Sequence, residues 1–238
     1  MAIDVDRARE DTPGCAHVNH LNNAGSSLPP SAVLEAQVEW LETEAVTGGY
    51  ELVAHRADLI GATYDEVAAL VGARRDEIAL VENATFGWHQ AFWSTPLAAG
   101  QIVLTGNVEY ATGYISMLQA RRRKGIEIVV IPDDEHGQCS VDALGDLLSR
   151  HGERVGLVAI THVPTNGGLV NPAEHIGALT RAAGVPYLLD ACQSAGQLPL
   201  DVSSIGCDML SATGRKFLRA PRGTGFLYVR REFLERTE

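Results

Sequence analysis

Short apolar runs alternate with helix-like segments along most of the chain, and this alternation limits the fold more than any other feature. The runs are rich in Val, Ile and Leu and are apolar on both faces, which is typical of buried parallel strands. We predict seven strands, at residues 78–82, 101–106, 127–132, 157–162, 187–191, 209–213 and 224–230. Strands that alternate with helices predict an α/β fold, in which helices flank a mostly parallel seven-stranded sheet.

Helices are predicted between these strands and ahead of them. Four segments lie within the strand pattern, at 88–98, 112–123, 141–149 and 172–183. Two more, at 32–45 and 59–71, flank a glycine-containing stretch at 47–50, and Gly72 supplies a helix stop signal. We expect this first third of the chain to pack on the sheet or to reach towards a partner subunit.

Composition excludes several classes of protein. The chain is 45% hydrophobic, enough for one large core, but it holds no run of 18 apolar residues that would predict a membrane span. A net charge of −11 opposes binding to nucleic acid or anionic membranes. The N-terminus lacks the apolar core of a secretion signal, and the four cysteines form no Cys-x-x-Cys pair. A reducing cytoplasm is therefore the predicted location.

Lys216 is one of only two lysines beside seventeen arginines, and it follows the predicted strand 209–213. The other, Lys124, closes a basic run that is typical of a solvated helix end. A buried lysine can lose its proton and attack a carbonyl, whereas arginine cannot. Asp190 ends an earlier strand, at the sheet edge where ligands bind, and is the acidic partner that a pyridinium nitrogen requires. The pair predicts pyridoxal 5′-phosphate (PLP), although Asp190 alone could equally cap a turn.

Other residues beside strand ends could hold the phosphate of such a cofactor. Ala84 and Thr85 lie near a predicted helix start, where backbone N–H groups bind anions. Thr213 and Arg215 could complete the phosphate site with a hydroxyl and a guanidinium. The alternatives are an ordinary N-cap role for Thr85 and a solvent-facing Arg215.

Four more side chains could contact the cofactor ring. Tyr110 could stack on the pyridine or simply pack over a loop. Gln193 could reach the ring hydroxyl or lie in a surface turn, and Thr165 or Asn166 could bond the same hydroxyl. His162 is interpreted as a core or supporting histidine rather than a catalyst.

Competing sites find little support. Residues 192–196 resemble a Gly-x-Ser-x-Gly nucleophile elbow but lack its first glycine, and Pro199 argues against the helix that should follow. The stretch 223–225 does not extend into a dinucleotide or Walker-type loop. The eight histidines show no His-Glu-x-x-His spacing, so no metal site is predicted.

In this order the motifs resemble the class V aminotransferase family of fold type I PLP enzymes, which includes cysteine desulfurases, kynureninases and isopenicillin-epimerase-like proteins. The matching stretches are 21–25, 48–50, 82–85, 109–110, 161–172, 190–193 and 213–225, with Asp190-Ala-Cys-Gln193 and Lys216 the most specific. The resemblance implies a Schiff base on Lys216, an Asp190–pyridinium pair and a Gln193 contact to the ring oxygen. It also implies that Thr85, Thr213 and Arg215 hold the phosphate.

Two positions and the length depart from the family pattern. Arg215 and Tyr110 stand where cysteine desulfurases usually carry histidines, and the second departure weakens a desulfurase interpretation. Family members continue into a smaller C-terminal domain that supplies a substrate-binding arginine. We therefore expect residues 1–20 to be an N-terminal extension and residues 21–238 to be the PLP-binding large domain of fold type I, without the small domain.

The predicted function is that of a PLP-dependent, class V aminotransferase-like enzyme that acts on an amino acid or amine. The sequence leaves the fate of the substrate carbanion open, and the predicted assembly is a homodimer. Carbon–sulfur lyase or cysteine desulfurase-like activity is the first alternative. The second is an inert truncated module or one half of a split enzyme. No nucleic acid, membrane or metal partner is predicted.

Overall fold

The computed structural model describes residues 3–237, which form seven strands and ten α-helices. The strands are β1 (Ile78–Val81), β2 (Ile102–Thr105), β3 (Glu127–Val130), β4 (Val155–Thr161), β5 (Tyr187–Asp190), β6 (Met209–Thr213) and β7 (Gly225–Val229). The helices are α1 (Val5–Glu10), α2 (Ser31–Thr47), α3 (Gly49–His55), α4 (Ala57–Val71), α5 (Ala84–Ser94), α6 (Ala111–Lys124), α7 (Val141–His151), α8 (Ala173–Ala183), α9 (Val202–Ile205) and α10 (Arg231–Leu234).

All seven strands form one sheet in the order β1-β7-β6-β5-β4-β2-β3. Neighbouring strands are parallel except at β7, which is antiparallel to both β6 and β1. The predicted mostly parallel sheet is confirmed. Strand β7 departs from the pattern because segment 214–224 is shorter than the roughly dozen residues that a parallel crossover needs.

Helices cover both faces of the sheet and create two hydrophobic cores. Along β5, Tyr187 and Leu189 face the core packed by α4, α7, α8 and α9, while Leu188 faces the core packed by α5, α6 and α10. The central strands are buried on both faces, as predicted. Edge strands β1 and β3 are partly exposed, because the helices cover the centre of the sheet more fully than its edges.

Helix α5 corrects the predicted helix 88–98, since it begins and ends four residues earlier. The Asn83 side chain accepts a hydrogen bond from the Phe86 N–H (2.9 Å) and caps the helix start. Thr95 precedes Pro96, and a residue before proline is disfavoured in helical conformation, so the helix stops at Ser94. The cap places Ala84 and Thr85 in the first turn.

The N-terminal third is helical, and it contains two helices more than predicted, α1 and α3. Helix α3 occupies the space between the two predicted segments, which the structure extends slightly as α2 and α4. Helix α2 buries none of its residues, whereas α4 buries Ala68 and Val71. Across residues 3–237, no helix combines the length and the apolar character needed to cross a membrane.

Candidate active site

The carboxyl ends of β1, β5 and β6 meet at one edge of the sheet and border a cleft of about 530 Å³. The cleft is lined by Glu82, Asn83, Ala84, Thr85, Tyr110, Cys192, Arg215, Lys216, Arg222 and Gly223. Five residues predicted from the sequence therefore lie together: Ala84, Thr85, Tyr110, Arg215 and Lys216. This edge is where open α/β sheets bind their ligands.

Lys216 lies in the tight turn that follows β6, and only 6% of its surface is exposed. Its Nζ lies 5.8 Å from the centroid of the Tyr110 ring, which forms the opposite side of the cleft. The turn is closed by a hydrogen bond from the Ala220 N–H to the Gly214 carbonyl (2.9 Å). A nearly buried amine thus lies over an aromatic ring at the cleft.

Asp190 ends β5 and is buried beside the cleft residues Cys192 and Lys216. Its Oδ1 accepts a hydrogen bond from the Cys192 N–H (2.9 Å). Burial raises the pKa of the Asp190 carboxyl, and the Cys192 hydrogen bond and the Lys216 charge oppose that shift. A second positive group near this carboxyl would stabilise its charged form further.

Donors suited to a phosphate surround the other end of the cleft. The first N–H groups of α5, including those of Ala84 and Thr85, have no acceptor within the helix. Thr213 Oγ1 accepts a hydrogen bond from Arg215 Nη1 (3.2 Å), which holds the guanidinium beside the cleft. The N-cap interpretation of Thr85 is wrong, because Asn83 caps the helix.

Gln193 is buried, which argues against the surface-turn alternative. Its Nε2 donates to the Ala24 carbonyl (3.2 Å), and its Oε1 has no hydrogen-bond partner among residues 3–237. A buried acceptor without a donor is costly, and a ligand hydroxyl would satisfy it. Thr165 and Asn166 instead lie exposed in the turn after β4, outside the residues that line the cleft.

His162 is buried at the end of β4, in line with its interpretation as a supporting residue. Burial lowers the pKa of its imidazole. Its Nδ1 has no hydrogen-bond partner in the described part of the chain. The same part of the chain contains no cluster of three or more His, Cys, Asp or Glu side chains placed to hold a metal ion.

Glu109 is a partly buried acid whose role was not predicted from the sequence. Its Oε1 accepts from the N–H groups of Gly106 (3.2 Å) and Thr161 (3.1 Å), and its Oε2 accepts from Thr161 Oγ1 (2.6 Å). These bonds join the ends of β2 and β4 and fix the residue that precedes Tyr110. Burial raises the pKa of Glu109 to about 7, although the Thr161 hydrogen bonds act in the opposite direction.

Glu109→Gln should flatten the dependence of stability on pH. In the native protein the carboxyl keeps its proton up to about pH 7, while in the unfolded chain it ionises near 4.5. The wild-type free energy of unfolding therefore falls as pH rises through this interval and levels off above it. We expect the free energy of unfolding of the variant, minus that of wild type, to grow by about 2 kcal/mol between about pH 5.5 and 7.5, measured by urea denaturation. A constant difference would show that Glu109 does not titrate there.

Gly214→Ala should disturb the Lys216 turn. A Cβ at this position would lie 2.2 Å from Thr224 Oγ1 and 2.9 Å from Ala220 Cβ. We expect a loss of about 1–3 kcal/mol in the free energy of unfolding, measured by denaturation. Gly167→Ala is the control, because a Cβ there meets nothing within 4 Å. Equal stabilities for the two variants would contradict the packing described for the turn.

The site combines a buried lysine, a buried aspartate one strand away, an aromatic ring and a set of anion donors. These residues fit PLP, and the sheet that carries them has the α/β architecture of fold type I. The chain belongs to the class-V aminotransferase family, whose sequence profile matches residues 19–238. The resemblance inferred from the motifs is confirmed.

Individual relatives agree with this assignment. A probable cysteine desulfurase of Synechocystis sp. is 34% identical over 91% of this chain and 52% of its own length. The apo structure of a cysteine desulfurase from Thermococcus onnurineus NA1 superposes with a TM-score of 0.91 at 25% identity, over all of this chain and 60% of that one. The chain thus spans between half and two thirds of these two proteins.

A third relative carries the cofactor. A variant of C-DES, a cystine C–S lyase, was solved with glycine covalently linked to PLP. It superposes with a TM-score of 0.89 at 26% identity, covering 97% of this chain and 61% of that one. The same lyase was solved with its reaction product, cysteine persulfide.

Proposed function

We propose that residues 21–238 are the PLP-binding large domain of an enzyme that acts on an amino acid or amine through Lys216, with residues 1–20 as an N-terminal extension. The observation that carries the proposal is the placement of the Lys216 amine beside the buried Asp190 carboxyl, at adjacent strand ends. Family membership and the relatives support it, while the activity of the whole protein stays part of the proposal.

Each residue has a role that follows from its place in the site. When bound, PLP supplies a ring that accepts electrons from the carbon beside the substrate nitrogen. Asp190 keeps the ring nitrogen protonated, and Tyr110 limits the tilt of the ring. Lys216 Nζ would hold the cofactor until the substrate amine displaces it, and the freed amine would then accept the proton of the substrate α-carbon. These residues alone leave transamination, elimination and racemisation open as outcomes.

The remaining predicted residues would anchor the cofactor. The N–H groups of Ala84 and Thr85, with Thr213 and Arg215, would bind the phosphate. Gln193 Oε1 would accept a hydrogen bond from the ring hydroxyl, which would satisfy an acceptor that is otherwise unpaired among the described residues. The predicted contacts of Thr165 and Asn166 would require their exposed turn to approach the cleft.

Cleavage of a carbon–sulfur bond in cysteine or cystine is the second candidate activity. It is favoured by the relatives, which include cysteine desulfurases and a cystine C–S lyase. Tyr110 lies where the desulfurase pattern has histidine, so any proton transfer that this histidine supports would need another group. This departure weakens the desulfurase alternative within this second candidate.

A homodimer and a cytoplasmic location complete the proposal. Helices α2 and α4 border an apolar groove of about 680 Å³, and Leu41 and Leu59 on its wall are more than half exposed. An apolar surface of this kind marks an interaction site. The free state of all four cysteines agrees with a reducing compartment. Light scattering at micromolar concentration tests the dimer, and a monomer would contradict it.

Exchange of the substrate α-proton tests the proposed activity without requiring that the final product of the reaction be known. The protein is incubated with PLP and L-cysteine, L-cystine or L-alanine in D₂O, and deuterium at the α-carbon is followed by NMR. We expect exchange well above that caused by free PLP with at least one substrate, and sulfide release would identify carbon–sulfur cleavage. Exchange no faster than with free PLP for all three would favour the inert-module alternative.

A further inference from the structure

Arg219 has a backbone conformation that is unusual for its residue type. Among the non-glycine residues of the range 3–237, it alone has a positive φ (59°). It lies three residues after Lys216, and its N–H donates to the Lys216 carbonyl (3.0 Å). Glycine adopts this conformation freely, whereas a residue with a Cβ does so at a cost. The arginine side chain must therefore supply something that glycine could not.

That side chain reaches into the N-terminal part of the chain. Nε donates to the Leu28 carbonyl (3.2 Å), and Nη2 donates to Thr12 Oγ1. Thr12 is itself buried, and its hydroxyl donates to the Ala8 carbonyl (2.7 Å). One guanidinium thus joins the turn after Lys216 to two separate points near the N-terminus.

Residues 22–28, here called the N-terminal strap, run along the same side of the site. The Ser27 N–H donates to the Arg215 carbonyl (2.9 Å), and the Ala24 carbonyl accepts from Gln193 Nε2 (3.2 Å). Both Arg215 and Gln193 are proposed cofactor ligands. The strap therefore touches the site at two points, and Arg219 binds its final residue, Leu28.

We propose that Arg219 is a positioning residue that clamps the N-terminal strap onto the turn carrying Arg215 and Lys216. The clamp fixes the backbone on both sides of these two residues and orients the Gln193 amide, so that its Oε1 stays directed away from the strap. Its consequence for PLP binding rests on the proposed function, whereas its effect on the strap does not.

Arg219→Gly separates this role from that of an ordinary turn residue, because glycine relieves the backbone strain while deleting the clamp. We expect the variant to bind PLP about tenfold more weakly in absorbance titrations, and the pH midpoint of its visible band to shift. Without PLP, we expect amide exchange in residues 22–28 to be at least about tenfold faster than in wild type. Arg219→Lys should recover part of the affinity, and Thr12→Val should accelerate exchange in the same segment. Arg150→Gly, which removes an exposed arginine from the last turn of α7, is the control.

The experiment can overturn the clamp and the proposed function separately. Unchanged strap exchange and unchanged PLP affinity in Arg219→Gly would show that Arg219 only fills a turn, and would overturn the clamp. If wild type binds no PLP at Lys216, the proposed function fails, while the exchange rates measured without PLP still decide the clamp. If the glycine variant does not fold, strap exchange in Arg219→Lys, whose ammonium lacks the guanidinium fork that reaches both Leu28 and Thr12, decides it instead.

Discussion

Lys216→Ala is expected to abolish the visible absorption band of the PLP-loaded protein and to lower α-proton exchange by about 10²- to 10⁴-fold. Its Nζ is the amine that faces the cleft, with Tyr110 opposite and Asp190 beside it. Among the side chains that line the cleft, no second amine is available to replace it. The readouts are the absorption spectrum and deuterium incorporation at the substrate α-carbon.

The chain offers a matched control for this prediction. Lys124, its other lysine, ends α6, and its Nζ lies 5.8 Å from the centroid of the Trp93 ring. It lies outside the residues that line the cleft. Lys124→Ala should leave the band and the exchange rate unchanged. Persistence of both signals in Lys216→Ala would place the reactive amine elsewhere.

Asp190→Asn should lower α-proton exchange by about 10²- to 10³-fold without destabilising the protein. Asparagine can still accept the hydrogen bond of the Cys192 N–H, but it carries no charge to keep a ring nitrogen protonated. Burial raises the pKa of the Asp190 carboxyl, so the fold disfavours its charged form and removal of the charge relieves that cost. The free energy of unfolding without PLP should therefore be equal to or above that of wild type.

Asp201→Asn is the control for the loss of an aspartate charge. Asp201 caps α9 through the N–H groups of Ser203 and Ser204, and asparagine caps helices equally well. Exchange should stay at the wild-type rate in this variant. A parallel loss of stability and exchange in Asp190→Asn would indicate a structural role for Asp190 instead of an electrostatic one.

The sequence was sufficient to predict the layers of the fold and the placement of Lys216 and Asp190 at the ends of strands. Repeated strand–helix order predicted the sheet, since buried parallel strands need apolar residues on both faces. The scarcity of lysine singled out Lys216, and the position of Asp190 after an apolar strand suggested its partner. The predicted placement of both residues depends on local pattern and on the rule that such sites lie at strand ends, while their roles with PLP stay predictions.

Other features depend on contacts that local pattern does not reveal. Hydrogen bonds from Gly106 and Thr161 hold the Glu109 carboxyl in place, and its position just before Tyr110 was the available signal. The clamp of Arg219 on Leu28 joins residues 191 positions apart. By contrast, two features could have been predicted from the sequence and were not. The short segment before β7 indicates an antiparallel strand, and Asn83 indicates the start of α5. The roles of Thr165 and Asn166 stay predictions.

Borohydride reduction of the PLP-loaded wild-type protein, followed by peptide mass mapping, tests the central claim most directly. Reduction fixes a pyridoxyl group on whichever amine held the cofactor. The structure predicts one labelled site, Lys216, because its amine lies in the cleft with Asp190 beside it, and no label on Lys124. A label confined to Lys124, or no label at saturating PLP, would contradict the account.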